Sequence, residues 1–322
     1  MKSVYGRTIC VAGFVAGVAA CKPSVGQPPY LITDSTLLAV YGSPSEVKPN
    51  ASVTYSFLIG SPAGTVTDVS AFWDVCETPK PPSESNAVAS ACAQPPDAGA
   101  SSVGQTFTVA MPSKACQLFG PIAPTPAPGQ PAVRPRDPDS TGGYYLPVQV
   151  WLPDLPSGPA EGFAFERISC NLANAPASAI TDYNSRYQPN ISPGIDHTDI
   201  VDASGRTPFE SVDGMVQTVS VISGASVVIE AALMPGSAET FAYYDATTET
   251  VVDQQESLHM SWFVTGGTFE HDRTGVAAGD SSTSTNNRWT APSLLGTVNL
   301  WLVLRDSRGG VASKSYAITV VP

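Results

Sequence analysis

Charged residues are scarce in this chain, and most of those present are acidic. Of the 322 residues 14% are charged, with 16 Lys and Arg against 28 Asp and Glu, which gives a formal net charge of −12. A protein that binds the phosphate backbone of DNA or RNA needs a basic surface to displace counterions. The sequence has no basic cluster larger than the pair Arg134 and Arg136, so nucleic acid is not expected as a partner.

The sequence also lacks the short motifs of common catalytic sites. It contains no G-x-S-x-G, H-E-x-x-H, Walker, dinucleotide-binding or EF-hand pattern. Its three histidines are His197, in an acidic segment, and His259 and His271, which we interpret as surface residues. These absences favour a protein that is not an enzyme and has no cofactor. An exported hydrolase of glycans stays open as an alternative, because paired carboxylates on separate strands leave no local motif.

Helix signals are few, whereas strand and turn signals are frequent. The chain has 30 prolines and 27 glycines, and apolar residues alternate with polar ones, as in strands with one buried face. The alternation is clearest in Val53–Ile59, Val69–Val75, Leu258–Val264 and a C-terminal hairpin that covers Val298–Leu304 and Tyr316–Val320. Trp73 and Trp262 are expected in sandwich cores. The sequence therefore predicts an all-β protein.

The N-terminal segment has the pattern of an export signal. Lys2 and Arg7 precede an apolar stretch at Ile9–Ala20, which ends in Val18-Ala19-Ala20-Cys21. This segment resembles the signals of bacterial lipoproteins. The resemblance implies removal of residues 1–20, lipidation of Cys21 and a membrane as partner through that lipid, and Lys22 after the cysteine implies the outer membrane. An ordinary secretory signal, or a buried apolar helix with Cys21 as a plain thiol, is the alternative.

Four further cysteines remain beyond Cys10 and Cys21. In an exported protein they are expected to form disulfides, and proximity in sequence favours Cys76 with Cys92 and Cys116 with Cys170 among the three possible connectivities. A zinc site is disfavoured because no two of these cysteines have the short spacing that such sites use.

The length of the chain predicts two domains. We assign residues 1–20 to the signal peptide and 21–32 to a lipidated tether. Residues 33–205 form a first β-sandwich with a proline-rich loop insertion at 121–143, and residues 206–322 form a second. A weak internal repeat, Val47–Val53 with Val221–Val227, supports two related domains.

The second half has further features that identify a fold family. They are Gly224-Ala225-Ser226-Val227, Trp262, Gly266-Gly267, Trp289-Thr290-Ala291-Pro292 and Arg305–Gly310. With these features the second half resembles bacterial immunoglobulin-like domains, which implies two immunoglobulin-like β-sandwich domains but leaves the activity open. The first domain departs from the pattern in its long loops.

Two kinds of candidate site remain. Asp196, Asp199 and Asp202 near the domain boundary are weak candidates for Ca²⁺ ligands, although a solvated acidic loop is the more common meaning of such a segment. Tyr144, Tyr145, Trp151, Phe241, Tyr243 and Tyr244 are candidates for a surface that binds carbohydrate or protein. Trp301 alternates with Leu300 and Leu302, so it is expected to face away from their core and to pack against a neighbouring domain rather than form an exposed patch.

The expected function is binding, adhesion or scaffolding by a lipid-anchored protein of the cell envelope. It would lie on the periplasmic face of the outer membrane or at the cell surface, with an envelope protein or a polysaccharide as partner. An inert spacer without a ligand is the remaining alternative.

Overall fold

The structure is a computed structural model and describes residues 26–81, 83–96, 102–120, 125–130, 143–172, 175–209, 211–212, 215–216 and 218–322. Residues 1–20, Cys21 and most of the proline-rich loop at 121–143 lie outside the described residues. None of the helices in the described part is long and apolar enough to span a membrane.

Nine strands form the first sandwich. They are β1 (Thr36–Ser43), β2 (Glu46–Val47), β3 (Ser52–Ser61), β4 (Gly64–Thr65), β5 (Phe72–Val75), β6 (Ser102–Val103), β7 (Phe107–Ala110), β8 (Gly143–Leu152) and β9 (Ala160–Ser169). One sheet has β3 between β1 and β4, with β7 also paired to β3, and the other has the order β2-β9-β8-β5-β6. A short helix, α1 (Ala115–Leu118), and a 3-10 turn at Ser90–Cys92 accompany these strands, and a second helix, α2 (Ala177–Arg186), follows them and packs against Tyr244 and Val251 of the second sandwich.

The second sandwich contains the remaining strands. They are β10 (Ile195–Asp202), β11 (Gly205–Pro208), β12 (Ser211–Val212), β13 (Met215–Val216), β14 (Thr218–Ile222), β15 (Ser226–Leu233), β16 (Thr240–Asp245), β17 (Thr250–Gln255), β18 (Leu258–Val264), β19 (Thr268–Phe269), β20 (Arg273–Val276), β21 (Ser284–Thr290), β22 (Gly296–Asp306) and β23 (Val311–Val321). Its sheets have the orders β11-β10-β15-β21-β19 and β14-β23-β22-β18-β20, and β12–β13 and β16–β17 are separate hairpins.

Both sandwiches begin in the same way, with a segment that changes sheets. In the first, β1 is antiparallel to β3 and β2 is parallel to β9. In the second, β10 is antiparallel to β15 and β14 is parallel to β23. This strand exchange between two facing sheets is an immunoglobulin-like arrangement, so the predicted all-β fold class is confirmed.

The internal repeat has a common backbone structure. Asn50 and Gly224, which are aligned in the repeat, have positive φ angles of 68° and 72°. The turn around each is closed by an equivalent hydrogen bond, from Ala51 N–H to Lys48 O at 3.1 Å and from Ala225 N–H to Ile222 O at 3.0 Å. Asn and Gly are the residues that most readily adopt this left-handed conformation, so a shared turn lies behind the weak sequence match.

Each sandwich has its own apolar core with a buried tryptophan. Trp73 and Trp262 are both fully buried, as predicted. Their indole N–H groups are satisfied, the first by Gly104 O at 2.8 Å and the second by Thr274 Oγ1 at 2.9 Å. Leu300, Leu302 and Leu304 of β22 lie in the second core, and β22 and β23 form the predicted C-terminal hairpin.

The boundary between the sandwiches differs from the prediction. Strand β10 belongs to a sheet of the second sandwich, so that sandwich begins before residue 206. The sequence does not show this strand clearly, because the pairing register shifts between Ile195 and Thr198. Such a shift interrupts the two-residue alternation of buried and exposed side chains by which strands are recognised. Helix α2, within the range predicted for the first sandwich, is likewise not predicted from the sequence.

The predicted tether at 21–32 also ends earlier than expected. Tyr30 and Ile32 are buried, and Val264 at the end of β18 exchanges backbone hydrogen bonds of 2.8 Å with both of them. The Tyr30 ring meets Phe269 edge-on at 5.7 Å. Residues 30–32 are therefore part of the folded unit.

The structure contains the two favoured disulfides. Cys76 pairs with Cys92 and Cys116 pairs with Cys170, with Cα–Cα distances of 5.6 and 5.5 Å. The first closes the loop that runs from the end of β5 to the 3-10 turn, and the second ties α1 to the end of β9. Both bridges therefore constrain the first sandwich.

Candidate binding site at the junction of the two sandwiches

An apolar contact joins the two sandwiches. Ile32, Leu38, Ala39, Leu58, Trp301 and Val303 form one buried cluster. Trp301 is 1% exposed, and its indole N–H donates to Thr65 Oγ1 of the first sandwich at 2.9 Å. The predicted packing of Trp301 against a neighbouring domain is confirmed.

A buried ion pair lies beside this contact in the first sandwich. Arg167 Nε donates to Glu46 Oε2 at 3.0 Å, and the two side chains are 1% and 0% exposed. Ser169 Oγ donates to the other oxygen of Glu46 at 2.7 Å, and the Tyr187 hydroxyl also bonds to it. The guanidinium occupies the space above Gly143, since a Cβ atom there would lie 2.0 Å from Arg167 Cζ.

The turn between β22 and β23 carries a second buried pair. Arg308 is 3% exposed and donates from Nε to Glu256 Oε1 at 2.6 Å and from Nη2 to Glu239 Oε2 at 2.8 Å. The turn itself is held by Asp306 Oδ1, which accepts the backbone N–H groups of Arg308 and Gly310 at 2.8 Å each.

Two groups connect these ion pairs across the junction. The Tyr145 hydroxyl accepts from Arg167 Nη1 at 3.3 Å and donates to Arg308 O at 3.2 Å. Asn190, in the segment between the sandwiches, donates its backbone N–H to Glu46 Oε2 at 2.8 Å, and its Nδ2 lies 3.3 Å from both oxygens of Asp306.

This network makes the orientation of the sandwiches specific. Desolvation offsets most of the attraction in a buried ion pair, but removal of one partner leaves an uncompensated charge and costs roughly 3–5 kcal/mol. Alternative domain arrangements would break the links through Tyr145 and Asn190. We therefore expect the two sandwiches to behave as one rigid unit.

An open cleft lies beside the junction and is formed by both sandwiches. It encloses about 340 Å³. Its walls are residues 37–42 of β1, Ser45, residues 161–166 of β9, and Arg305, Gly309 and Val311 of the C-terminal hairpin. We call this space the junction cleft.

The acidic residues of the junction cleft differ in environment. Glu161 is exposed and accepts from Gln149 Nε2 at 2.5 Å. Glu166 is 3% exposed, and burial, reinforced by the charge of Glu46, raises its pKa to about 8. Its Oε2 accepts from the Tyr55 hydroxyl at 3.1 Å, while Oε1 has no hydrogen-bond partner within the described ranges. A carboxyl group with this pKa is largely protonated at neutral pH.

Arg305 is the cationic residue of the junction cleft. It donates from Nη2 to Leu38 O at 3.3 Å, and burial, together with the charge of Arg273, lowers its pKa. Among the residues that the structure describes, no carboxylate forms an ion pair with Arg305. Since a guanidinium offers five donors, this side chain has capacity to bind an additional acceptor.

The three acidic Ca²⁺ candidates lie on β10 and not in a hinge loop. Asp199 is buried and binds Arg206 Nη1 at 2.6 Å. Asp196 contacts His197 at 2.9 Å, and Asp202 accepts from Ser204 N–H at 2.7 Å. Over the described ranges no three His, Cys, Asp or Glu side chains converge on a possible metal site.

The aromatic candidates do not form one surface. Tyr144 is fully buried, and Phe241 and Tyr244 are 7% and 6% exposed. Tyr145 belongs to the junction network. Trp151, on β8, and Tyr243, on β16, are partly exposed on different sandwiches. His197, His259 and His271 are exposed, as predicted for the last two.

Sequence reasoning found Trp301 but not the buried ion pairs of the junction. Glu46 and Arg167 are 121 positions apart in the chain and Glu256 and Arg308 are 52 apart, and a search for short motifs does not detect ion pairs over such separations. Composition offered the one clue to these ion pairs. In a chain with few charges, an arginine or glutamate inside an apolar strand is expected to be buried, and a buried charge requires a partner of opposite charge.

Comparisons with known proteins identify distant structural likeness only. No family model matches the chain, and no curated protein matches its sequence. Among solved structures, fibronectin(III)-like modules of Clostridium thermocellum CbhA align over 88% of this chain and 94% of theirs, at 9% identity and a TM-score of 0.23. The D00-D0 domain of intimin aligns over 88% and 100%, at 9% identity and 0.24. The Yersinia pseudotuberculosis adhesin InvE aligns over 89% and 59%, at 10% identity and 0.22. Because the sequence identities are about 10% and the TM-scores about 0.2, the fold is assigned from the strand pairing of this chain itself. That pairing is the one found in two immunoglobulin-like sandwiches.

Proposed function

We propose that this chain is a lipid-anchored protein of the bacterial cell envelope that acts by binding and scaffolding rather than by catalysis. Lipid on Cys21 would hold it to the membrane, and a rigid pair of sandwiches would present the junction cleft to an envelope protein or a polysaccharide. The signal-like segment at residues 1–21 supports the anchor, and two disulfides support an oxidising, extracytoplasmic location.

One observation carries the binding proposal. The junction cleft is built from both sandwiches and contains Arg305, a half-buried guanidinium without a carboxylate partner among the described residues. A ligand with a carboxylate, sulfate or carbonyl oxygen would gain a charge-assisted hydrogen bond there. Such bonds contribute roughly 1.5–3 kcal/mol, which corresponds to about tenfold or more in affinity.

The anchor and the binding role are tested separately. Mass spectrometry of the mature N-terminus should find acyl groups on Cys21, and the Cys21→Ser variant should lose membrane association. Crosslinking in native membranes and retention on envelope polysaccharides should then recover a partner with the wild type. Recovery should fall about tenfold or more with Arg305→Gln and stay unchanged with Arg288→Gln, which alters an exposed arginine of β21.

Equal loss of partner in both arginine variants would contradict a role for the junction cleft. No partner for the wild type on any envelope polymer or protein would favour the inert spacer instead. Thermal unfolding of each variant controls for damage to the junction, because Arg305 also bonds to Leu38 O.

A second function, hydrolysis of a glycan, has one observation in its favour. Glu161 and Glu166 both line the junction cleft, and a carboxyl with a pKa near 8 is in the protonation state that a general acid requires. Release of reducing ends from retained polysaccharide, abolished by Glu166→Gln, would replace the binding proposal with this one.

A further inference from the structure

One end of the second sandwich, which we call the tip, carries loops with apolar but no charged residues. It is the end at which the described chain begins. Three loops meet there: 222–225 between β14 and β15, 265–267 between β18 and β19, and 291–295 between β21 and β22. Ser223 Oγ lies within hydrogen-bond distance of Pro292 O and Ser293 O, at 3.4 and 3.3 Å. Trp289, near the end of β21, donates from Nε1 to Gly266 O at 3.1 Å, which holds the loop 265–267 beside the strand that leads into the loop 291–295.

The apolar side chains of this tip are exposed to solvent. Leu294 is 80% exposed, Ile222 61% and Leu295 51%. None of the three loops contains Asp, Glu, Lys or Arg, although the chain as a whole carries a net charge of −12. Clustered exposed apolar residues indicate a contact with another molecule or with a membrane.

The chain enters the folded unit at this same end. Residues 30–32 pair with Val264, directly before the loop at 265–267. Leu31 N–H donates to Pro28 O at 3.0 Å, and Thr33 Oγ1 donates to Gln27 Oε1 at 3.1 Å. The chain therefore reverses at Pro28–Leu31, which brings Gln27 beside Thr33 at this end of the sandwich, and Gly26 directly precedes Gln27.

Covalent geometry places Cys21 close to this tip. The five residue steps from Cys21 to Gly26 span at most about 18 Å. No charged residue occurs between Lys22 and Asp34. A lipid on Cys21 therefore holds Gly26, and with it the entry of the chain into this end of the second sandwich, within about 18 Å of the anchored cysteine, whatever path those residues take.

We infer that Ile222, Leu294 and Leu295 insert into the lipid surface that holds the Cys21 anchor. This inference rests on the proposed lipid anchor and adds a second, apolar attachment that fixes how the two sandwiches stand on the membrane. The opposite end of the sandwich lacks this combination: Ile191 and Met234 are exposed there, but Ile191 lies against Glu239, which accepts its backbone N–H at 2.9 Å.

The test uses the full lipidated protein in vesicles of zwitterionic phospholipid. Ser293→Cys, next to Leu294, introduces a single thiol for an environment-sensitive fluorophore, because the four cysteines of the sandwiches are paired. Ala278→Cys is the matched control, because Ala278 is also exposed but lies at the opposite end of the second sandwich. It follows β20, whose last residue, Val276, pairs with Leu258 at the start of β18. We expect the Ser293 label to shift to the blue and to be quenched by nitroxide lipids, and the Ala278 label to show neither effect.

The combined variant Ile222→Ser, Leu294→Ser and Leu295→Ser, labelled at Ser293→Cys, separates apolar contact from mere tethering. It should still float with the vesicles but lose the blue shift and the quenching. Retained quenching in this variant, or equal quenching at both label positions in a protein that floats, would overturn the inference and leave the anchor intact. An unmodified Cys21 with no flotation would overturn both the inference and the anchor.

Discussion

Replacing Trp301 with alanine is expected to uncouple the two sandwiches while it leaves each core in place. The side chain is 1% exposed and lies in the cluster shared with Leu38 and Leu58 of the first sandwich. It does not belong to the core cluster that contains Leu300 and Leu302. Truncation of a buried Trp to Ala costs roughly 3–5 kcal/mol, and that cost falls here on the free energy that couples the domains.

Urea unfolding, followed by far-ultraviolet circular dichroism, measures this effect. The wild type should unfold in one transition because the sandwiches stabilise each other. Trp301→Ala should show two transitions, with the less stable sandwich unfolding first. Hydrogen exchange should increase in β1 and β3 at the contact, while β21, in the sheet on the far side of the second sandwich, keeps its protection.

Trp262→Ala is the matched control, since it removes the same side chain from the core of the second sandwich. It should destabilise that sandwich directly and increase exchange in β21. The reasoning is refuted if Trp301→Ala gives the exchange pattern of Trp262→Ala, or if it leaves the single transition and its midpoint unchanged.

Three further perturbations test other parts of the structure. The pKa of Glu166 is raised from an ordinary 4.5 to about 8, so the stability that its protonated form contributes is complete below pH 4.5 and is lost as the pH rises to 8, by roughly 1.4 kcal/mol per pH unit. Glu166→Gln should therefore reduce the dependence of the urea midpoint on pH between pH 5 and 8.5. The same dependence in wild type and variant would contradict this assignment. Replacing the cysteines of the Cys116–Cys170 bridge with Ser should cost roughly 4 kcal/mol of stability, and replacing those of the Cys76–Cys92 bridge roughly 3 kcal/mol, because the closed loops span 54 and 16 residues. The variant without Cys116–Cys170 should therefore have the lower urea midpoint. The reverse order would argue against chain entropy as the cause. Gly143→Ala should lower the free energy of unfolding by about 1–3 kcal/mol or more, since its Cβ would collide with the buried guanidinium of Arg167. Gly26→Ala is the control and should leave the thermal midpoint unchanged, because a Cβ at that position has nothing within 4 Å. Equal midpoints for the two variants would show that the guanidinium can move.

The local features of the fold were predictable because each depends on residues close in sequence. Alternation placed Trp73 and Trp262 in their cores, and turn residues placed the C-terminal hairpin. The repeat around Asn50 and Gly224 was visible as a weak match because both residues tolerate a positive φ. Alternation also implied that Trp301 faces away from its own core, since neighbouring strand residues point to opposite faces.

The site was not predictable in the same way. The sequence leaves strand β10 within residues 33–205, the range predicted for the first sandwich, because a register irregularity after Ile195 interrupts its alternation and conceals that it belongs to the second. Glu46 and Arg167, like Glu256 and Arg308, are far apart in the sequence, and only the tertiary structure brings them together with Tyr145 and Asn190. Likewise, the walls of the junction cleft come from β1, β9 and the C-terminal hairpin.

The sequence by itself therefore determined the strands with a regular alternation, the two sandwiches, the cysteines available for pairing and the signal-like segment that ends at Cys21, because backbone geometry and side-chain polarity act over a few residues. The tertiary structure alone decided which charges are buried together, which residues of the first sandwich Trp301 contacts and which loops of the second sandwich share one end. Those contacts join residues far apart in the chain, and their partners are selected by the desolvation and packing of the folded state.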